Sequence, residues 1–189
     1  MRYAYEKSES KLPFLSNTQI LPGVAGAGKT AVVLASINNP NEEIIVAGPT
    51  KSQANTLQKS LNRPQSYTFQ ALLEELLGSQ QLKDINELFT QVNNPAGKAI
   101  QQVDNKYFTV EGVNGVPVIK LKRNALTFNK LTKTPKKLIL DEATHLSSLE
   151  MQILDAYAES VDAVVYLAGD PNQRGYINKK SAIENLQED

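Results

Sequence analysis

The segment GVAGAGKT, at residues 23–30, has the residue types and spacing of a loop that wraps the phosphate groups of a nucleotide. It matches the pattern G-x-x-x-x-G-K-[ST], in which backbone N–H groups bind phosphate oxygens and the glycines leave room for that approach. Lys29 is predicted to bridge the β- and γ-phosphates, and Thr30 to bind Mg²⁺. The full set of predicted phosphate-binding residues is Gly23, Val24, Ala25, Gly26, Ala27, Gly28, Lys29 and Thr30.

Two other interpretations of this loop fit less well. A glycine-rich turn with an incidental lysine would not require the apolar segment before it or the helical pattern after it. A dinucleotide-binding fingerprint needs a third glycine, which the G-x-G spacing of Gly26 and Gly28 lacks. A phosphate site does not by itself identify a reaction, because kinases, switches, AAA+ machines and helicases all share it.

An acidic pair, Asp141 and Glu142, follows the apolar segment Leu138–Leu140, which has the pattern of a buried strand. A carboxylate at the end of such a strand can hold Mg²⁺ through water, and a neighbouring carboxylate can polarise an attacking water. Taken alone, the pair is more often a solvated turn or a helix start. Together with the phosphate loop, it predicts hydrolysis rather than transfer to a bound acceptor.

Gln173 belongs to the segment GDPNQ, which follows a further apolar strand candidate at residues 163–168. In a parallel sheet, ligands bind beyond the carboxyl ends of the strands, where Lys29, Asp141 and Gln173 would meet. A neutral amide there can respond to the γ-phosphate without neutralising the metal site. The other interpretation is an exposed glutamine in a Gly-Asp-Pro turn.

Strand and helix patterns alternate along the chain, which predicts an α/β fold with a mostly parallel sheet covered on both faces. The segment YFTVEGVNGVPVIKL carries an Asn-Gly pair between two β-rich arms and predicts a hairpin outside that sheet. Ser147 and Glu150 have the spacing of a capping box at a helix start. Strands are predicted at 18–21, 42–48, 138–140 and 163–168, and helices at 30–37, 52–61, 68–77, 82–92 and from 148 to about 159.

The composition is that of an ordinary globular protein, with 41% apolar and 21% charged residues. Twenty basic and twenty acidic side chains cancel, so any site for a polyanion must be local. The absence of cysteine excludes disulfides and thiolate metal sites, and a single histidine cannot form a histidine cluster. Apolar runs are too short for a membrane span, and the N-terminus lacks a signal-peptide pattern. We therefore expect a cytoplasmic protein without a membrane partner, or one of the host cytoplasm if the source is viral.

Five segments in order resemble the first RecA-like domain of superfamily 1 helicases: GVAGAGKT, VAGPTKSQANTL, YTFQALL, LILDEATHL and YLAGDPNQRG. They would correspond to motifs I, Ia, an Ib/Ic-type segment, II and III. The resemblance spans residues 18 to about 175. YTFQALL and DEATHLSSLE look like the RecD/Pif1-type DNA helicases of bacteria and phages, and GDPNQRGYIN looks like viral RNA helicases, so a phage or other viral source is expected.

This resemblance implies a P-loop ATPase of helicase type, with ATP and Mg²⁺ as cofactors and catalytic roles for Lys29, Glu142 and Gln173. Thr50, Lys51 and Thr68 would contact the backbone of single-stranded nucleic acid, with DNA favoured over RNA. Residues 1–189 would form one RecA-like domain, and 93–135 a 1B-like insertion that helps to guide or split a duplex. The seven basic residues between Lys120 and Lys137 would add salt-dependent affinity, unless they form an ordinary solvated face.

Two departures from the family pattern affect these expectations. Gln19 lies only ten positions before Lys29, too close for the family's adenine-reading glutamine. Tyr3, Tyr5 or Phe14 would instead stack on the base, although packing is the favoured role for them. A second RecA-like domain with its arginine finger is expected in cis or in trans, and without it hydrolysis should be slow.

Two other functions stay open at this point. A nucleotide-dependent regulatory module without translocase activity has the same phosphate loop. A P-loop kinase is disfavoured, because only four arginines are present and none cluster as in a lid.

Overall fold

The structure is a computed structural model that describes residues 14–21, 27–93 and 104–168. Its strands are β1 (Thr18–Ile20), β2 (Ile44–Gly48), β3 (Tyr67–Thr68), β4 (Phe108–Val113), β5 (Val116–Leu121), β6 (Lys137–Leu140) and β7 (Val164–Leu167). Its α-helices are α1 (Ala27–Ile37), α2 (Lys51–Ser60), α3 (Phe69–Leu77), α4 (Ser79–Asn93) and α5 (Ser148–Ser160). The alternation confirms the predicted α/β class.

Five of these strands form one parallel sheet in the order β1-β7-β6-β2-β3. Ile20, Leu167 and Leu140 stand in register across β1, β7 and β6. Because all five strands run the same way, their carboxyl ends share one side of the sheet, which we call the carboxyl edge. β7 separates β1 from β6, so the strand before the phosphate loop lies about 10 Å from the strand before the acidic pair, at the usual spacing of strands.

The central strands β2 and β6 are buried on both faces, because helices cover the sheet on both sides. In β2, Ile44 and Val46 pack with α1 and α2 on one side, in a cluster that includes Leu34 and Leu57. Ile45 and Ala47 face the other side, with α3, α4 and α5. Alternate residues therefore enter different cores, which explains why the strand sequences are continuously apolar rather than alternating.

The helix boundaries follow the local capping residues. Ser147 and Glu150 form the predicted capping box at the start of α5. Gly78 ends α3 with φ of +78°, a conformation in which glycine avoids steric strain. Among the described residues, no helix is both long enough and apolar enough to cross a lipid bilayer.

The predicted hairpin is present as the antiparallel pair β4–β5, and it forms a separate two-stranded sheet. Asn114 and Gly115 form its turn, with φ of 53° and 80°. These positive values suit a two-residue turn whose twist matches that of the strands. The hairpin packs on the main core rather than standing free, since the ring centroid of Phe108 lies 5.3 Å from that of Phe89 on α4.

Candidate functional site

The acidic pair lies at the carboxyl edge, directly after β6. The backbone N–H of Asp141 donates to the carbonyl of Ala47 on β2 at 2.9 Å and extends the ladder by one residue. The Asp141 carboxylate accepts a hydrogen bond from the backbone N–H of Glu142 at 3.0 Å. The carboxylate at 141 is thus held by rigid elements on the side of the sheet where ligands of parallel sheets bind.

The surroundings of Asp141 disfavour its charged form. Burial raises the pKa of its carboxyl above the ordinary value, the Glu142 backbone hydrogen bond lowers it, and the nearby Glu142 carboxylate raises it again. A half-buried carboxylate that is costly to ionise gains most from a bound cation. This observation fits the prediction that Asp141 holds Mg²⁺.

Glu142 has a backbone conformation that is unusual for its residue type. Its φ and ψ of 53° and 48° place it in the left-handed region, where a residue with a Cβ is strained and where Asn and Asp are the usual exceptions. The carbonyl of Glu142 accepts from His145 N–H at 3.0 Å, and the next residue, Ala143, donates to Ala168 at 3.1 Å. Strain held in place by such bonds is common at functional sites.

The Ala143–Ala168 hydrogen bond joins the acidic segment to the end of β7. β7 is the strand that precedes GDPNQ in the chain. Gln173 itself lies outside the described residues, so its predicted role as a γ-phosphate sensor stays a prediction.

Helix α1 is directed at the same edge of the sheet. Lys137, the first residue of β6, donates from Nζ to the carbonyl of Ile37 at the end of α1, at 2.8 Å. The helix therefore ends at the side of the sheet where the strands begin, which we call the amino edge. Its N-terminus, at Ala27, points to the carboxyl edge. A helix N-terminus favours anions, which fits a phosphate chain between α1 and Asp141.

The predicted phosphate loop is only partly within the described residues. Ala27, Gly28, Lys29 and Thr30 form the first turn of α1, which begins three residues before the predicted start. The residues Gly23, Val24, Ala25 and Gly26 lie outside the described ranges. The predicted contacts of Lys29 and Thr30 with phosphate and Mg²⁺ therefore stay predictions.

The residues predicted to contact nucleic acid also lie at the carboxyl edge. Thr50 caps α2 by accepting from Gln53 N–H at 3.2 Å, and Thr68 caps α3 by accepting from Ala71 N–H at 3.0 Å. Lys51 is exposed in the first turn of α2. Both threonine hydroxyls thus have a structural role as helix caps, and their contact with nucleic acid stays a prediction.

The predicted basic run is largely occupied by intramolecular ion pairs. Four of its seven members have an acidic partner: Lys120 with Glu111, Lys122 with Asp104, Arg123 with Asp155 and Glu159, and Lys137 with Glu42. The segment 130–136 leads into the start of β6 and so lies toward the amino edge, away from the acidic pair. For the four paired residues, the structure favours an ordinary structural role over polyanion binding.

One charged pair was absent from the sequence-based expectations. Asp155 is completely buried in α5 and accepts from Arg123 Nη2, from Asn17 N–H and from the Thr18 hydroxyl. The sequence signal was an acidic residue in a largely apolar stretch of helix, MQILDAYA. Its partners are 32 to 138 positions away, which sequence patterns do not reveal.

Of the three aromatic residues predicted to stack on the base or pack, Tyr3 and Tyr5 lie outside the described residues, and Phe14 packs. It lies against the main core, and Lys120 Nζ is 5.1 Å from its ring centroid. This agrees with the packing alternative given for it.

A parallel sheet covered on both faces, a helix N-terminus at its carboxyl edge and a carboxylate beside it are consistent with the class of P-loop nucleotide-binding domains. A protein-family model described as AAA domain matches residues 14–189, and the chain belongs to this family of P-loop nucleoside triphosphatases. No curated protein matches the chain. Domains of this family generally bind a nucleoside triphosphate with Mg²⁺.

Proposed function

We propose that this chain is the ATP-hydrolysing motor domain of a superfamily 1 helicase of the RecD/Pif1 type. The proposal of ATP hydrolysis rests on one observation, the geometry of the acidic pair. Asp141 is held by the β-ladder with a raised pKa, and Glu142 is held beside it in a strained conformation, at the edge toward which α1 points.

The proposed roles follow from these positions. Lys29 would bind the β- and γ-phosphates, and Thr30 and Asp141 would hold Mg²⁺, which supplies charge neutralisation at the phosphates. Glu142 would accept a proton from the attacking water. Gln173 would report the state of the γ-phosphate to the bound strand.

The helicase part rests on the resemblance together with the placement of Thr50, Lys51 and Thr68. They lie at the carboxyl ends of β2 and β3, on the same side of the sheet as Asp141. A single strand of nucleic acid, with DNA favoured, would cross these ends through phosphate contacts that do not depend on base sequence. A second RecA-like domain, in cis or in trans, would complete the motor.

A second candidate is a nucleotide-dependent regulatory module without translocase activity. It is favoured by one observation: the threonine hydroxyls and most of the basic run already have intramolecular partners. Such a module would bind ATP and change shape without responding to a polymer.

The test measures ATP binding and hydrolysis with and without single-stranded DNA, with the second RecA-like domain present in cis or supplied in trans. Lys29→Ala should abolish nucleotide binding, whereas Glu142→Gln should bind ATP and lose hydrolysis by ~10² to 10⁴-fold. Hydrolysis that rises with single-stranded DNA supports the motor, and the rise should weaken with added salt. Binding without any response to single strands supports the regulatory module instead.

A further inference from the structure

Strand β1 leads into the phosphate loop, yet its own ladder is short. It has three residues, and among the described strands it is the last at one side of the main sheet, where it pairs with β7. The flanking bonds of the ladder are Val165 N–H to Asn17 O at 2.8 Å and Leu21 N–H to Leu167 O at 2.9 Å. A strand with so few ladder bonds needs further contacts to be held accurately.

Asp155 supplies such contacts from α5. Its carboxylate accepts from the backbone N–H of Asn17 at 2.8 Å and from the hydroxyl of Thr18, the first residue of β1, at 2.5 Å. The Asp155 side chain is wholly buried. Hydrogen bonds to a buried charge are among the stronger ones in proteins, so Asp155 fixes the start of β1.

Arg123 connects the same carboxylate to the hairpin. It lies two residues after the end of β5, and its guanidinium binds Asp155, Glu159 and the carbonyl of Phe14. Three elements that are distant in sequence thus meet at one side chain: the segment before β1, the base of the hairpin, and α5. A planar fork with several donors is suited to this arrangement, and lysine could not reproduce it.

We propose that Asp155 and Arg123 are positioning residues for the nucleotide site, which hold β1, and through it the phosphate loop, from the base of the hairpin. This inference rests on the proposed nucleotide site. The hairpin is then coupled to the nucleotide site: a force or a ligand that shifts the end of the hairpin next to Arg123 changes the affinity for nucleotide. By thermodynamic reciprocity, nucleotide binding then changes the stability of the hairpin.

The direct test is Thr18→Val in the full chain, which keeps the side-chain volume and removes only the bond from β1 to Asp155. Asp155→Asn is a stronger perturbation, and Glu159→Gln is the matched control. Glu159 binds the same Arg123, but its side chain is half exposed and does not contact β1. Affinity for Mg-ATP and the separate values of KM and kcat are measured at a temperature where circular dichroism shows folded protein.

Thr18→Val and Asp155→Asn should weaken nucleotide affinity about tenfold or more, as small misplacements in a site do, while Glu159→Gln stays at the wild-type value. Nucleotide should also slow amide hydrogen exchange across residues 108–121 in the wild type and in Glu159→Gln, but not in Thr18→Val. If Asp155→Asn does not fold, Thr18→Val alone decides the matter.

Two results would overturn the inference in distinguishable ways. Wild-type binding of nucleotide with an unchanged affinity in folded Thr18→Val refutes the positioning role and leaves the proposed function intact. A wild-type chain that binds no nucleotide refutes the proposed function, and this inference with it.

Discussion

Replacing Glu142 with glycine should make the protein more stable and less active. The left-handed backbone at Glu142, with φ of 53°, costs a residue with a Cβ ~1–2 kcal/mol. Glycine has no such penalty, but it gives the unfolded chain more freedom, which offsets ~0.4–1 kcal/mol. The net gain in the free energy of unfolding is therefore about 0.5–1 kcal/mol, or a rise in Tm of a few degrees for a chain of this size.

A second effect must be separated from the backbone strain. The Glu142 carboxylate also repels that of Asp141, and glycine removes this repulsion too. Glu142→Gln removes the same charge but keeps the strained backbone, so the difference in unfolding free energy between the Gly and Gln variants isolates the strain. Asp162→Gly is a further control, since Asp162 has φ of 58° on an exposed turn away from the site.

The assay is urea denaturation without nucleotide, paired with ATP hydrolysis by the same samples. Both Glu142 variants should lose hydrolysis, only the Gly variant should gain the extra stability, and Asp162→Gly should keep its activity. Equal stability of the Gly and Gln variants would show that no strain is stored at this position. Wild-type hydrolysis by Glu142→Gln would show that the base has been wrongly assigned.

Three further predictions concern single side chains. Burial raises the pKa of Asp141 in the folded state, so the free energy of unfolding decreases as pH rises through that pKa. Asp141→Asn should therefore unfold at a higher urea concentration than wild type at pH 7, and this difference should shrink toward pH 4. The affinity of the variant for Mg-ATP should fall. Asp155→Asn should lower the free energy of unfolding by ~3 kcal/mol, because it breaks a buried ion pair. The side chain of Glu159 is half exposed, so Glu159→Gln should lower it by at most ~1 kcal/mol. A loss below ~1 kcal/mol in Asp155→Asn would disprove the buried pairing. Thr68→Asp keeps the helix cap and should leave Tm unchanged. The added charge should repel phosphate and lower the stimulation of ATP hydrolysis by single-stranded DNA. Unchanged stimulation would argue against a nucleic-acid strand bound at Thr68.

The elements that sequence patterns predicted well are those that depend on neighbouring residues. The hairpin turn at Asn114-Gly115 needs two positive φ values, which these residue types adopt readily. The capping box of Ser147 and Glu150 spans a single helical turn. Strand β3, of two residues, was not predicted, because so short a segment has no measurable periodicity.

Taken by itself, the amino-acid sequence determined the α/β class, the phosphate-loop pattern and the identity of the acidic pair, because each depends on residue types at short spacing. Tertiary structure alone decided the order of the strands, which places β7 between β1 and β6, and the partners of the basic run. It also decided that Asp155 joins β1 to the hairpin. These features depend on contacts between residues far apart in the chain, where burial and charge pairing, rather than local conformational preference, set the free energy.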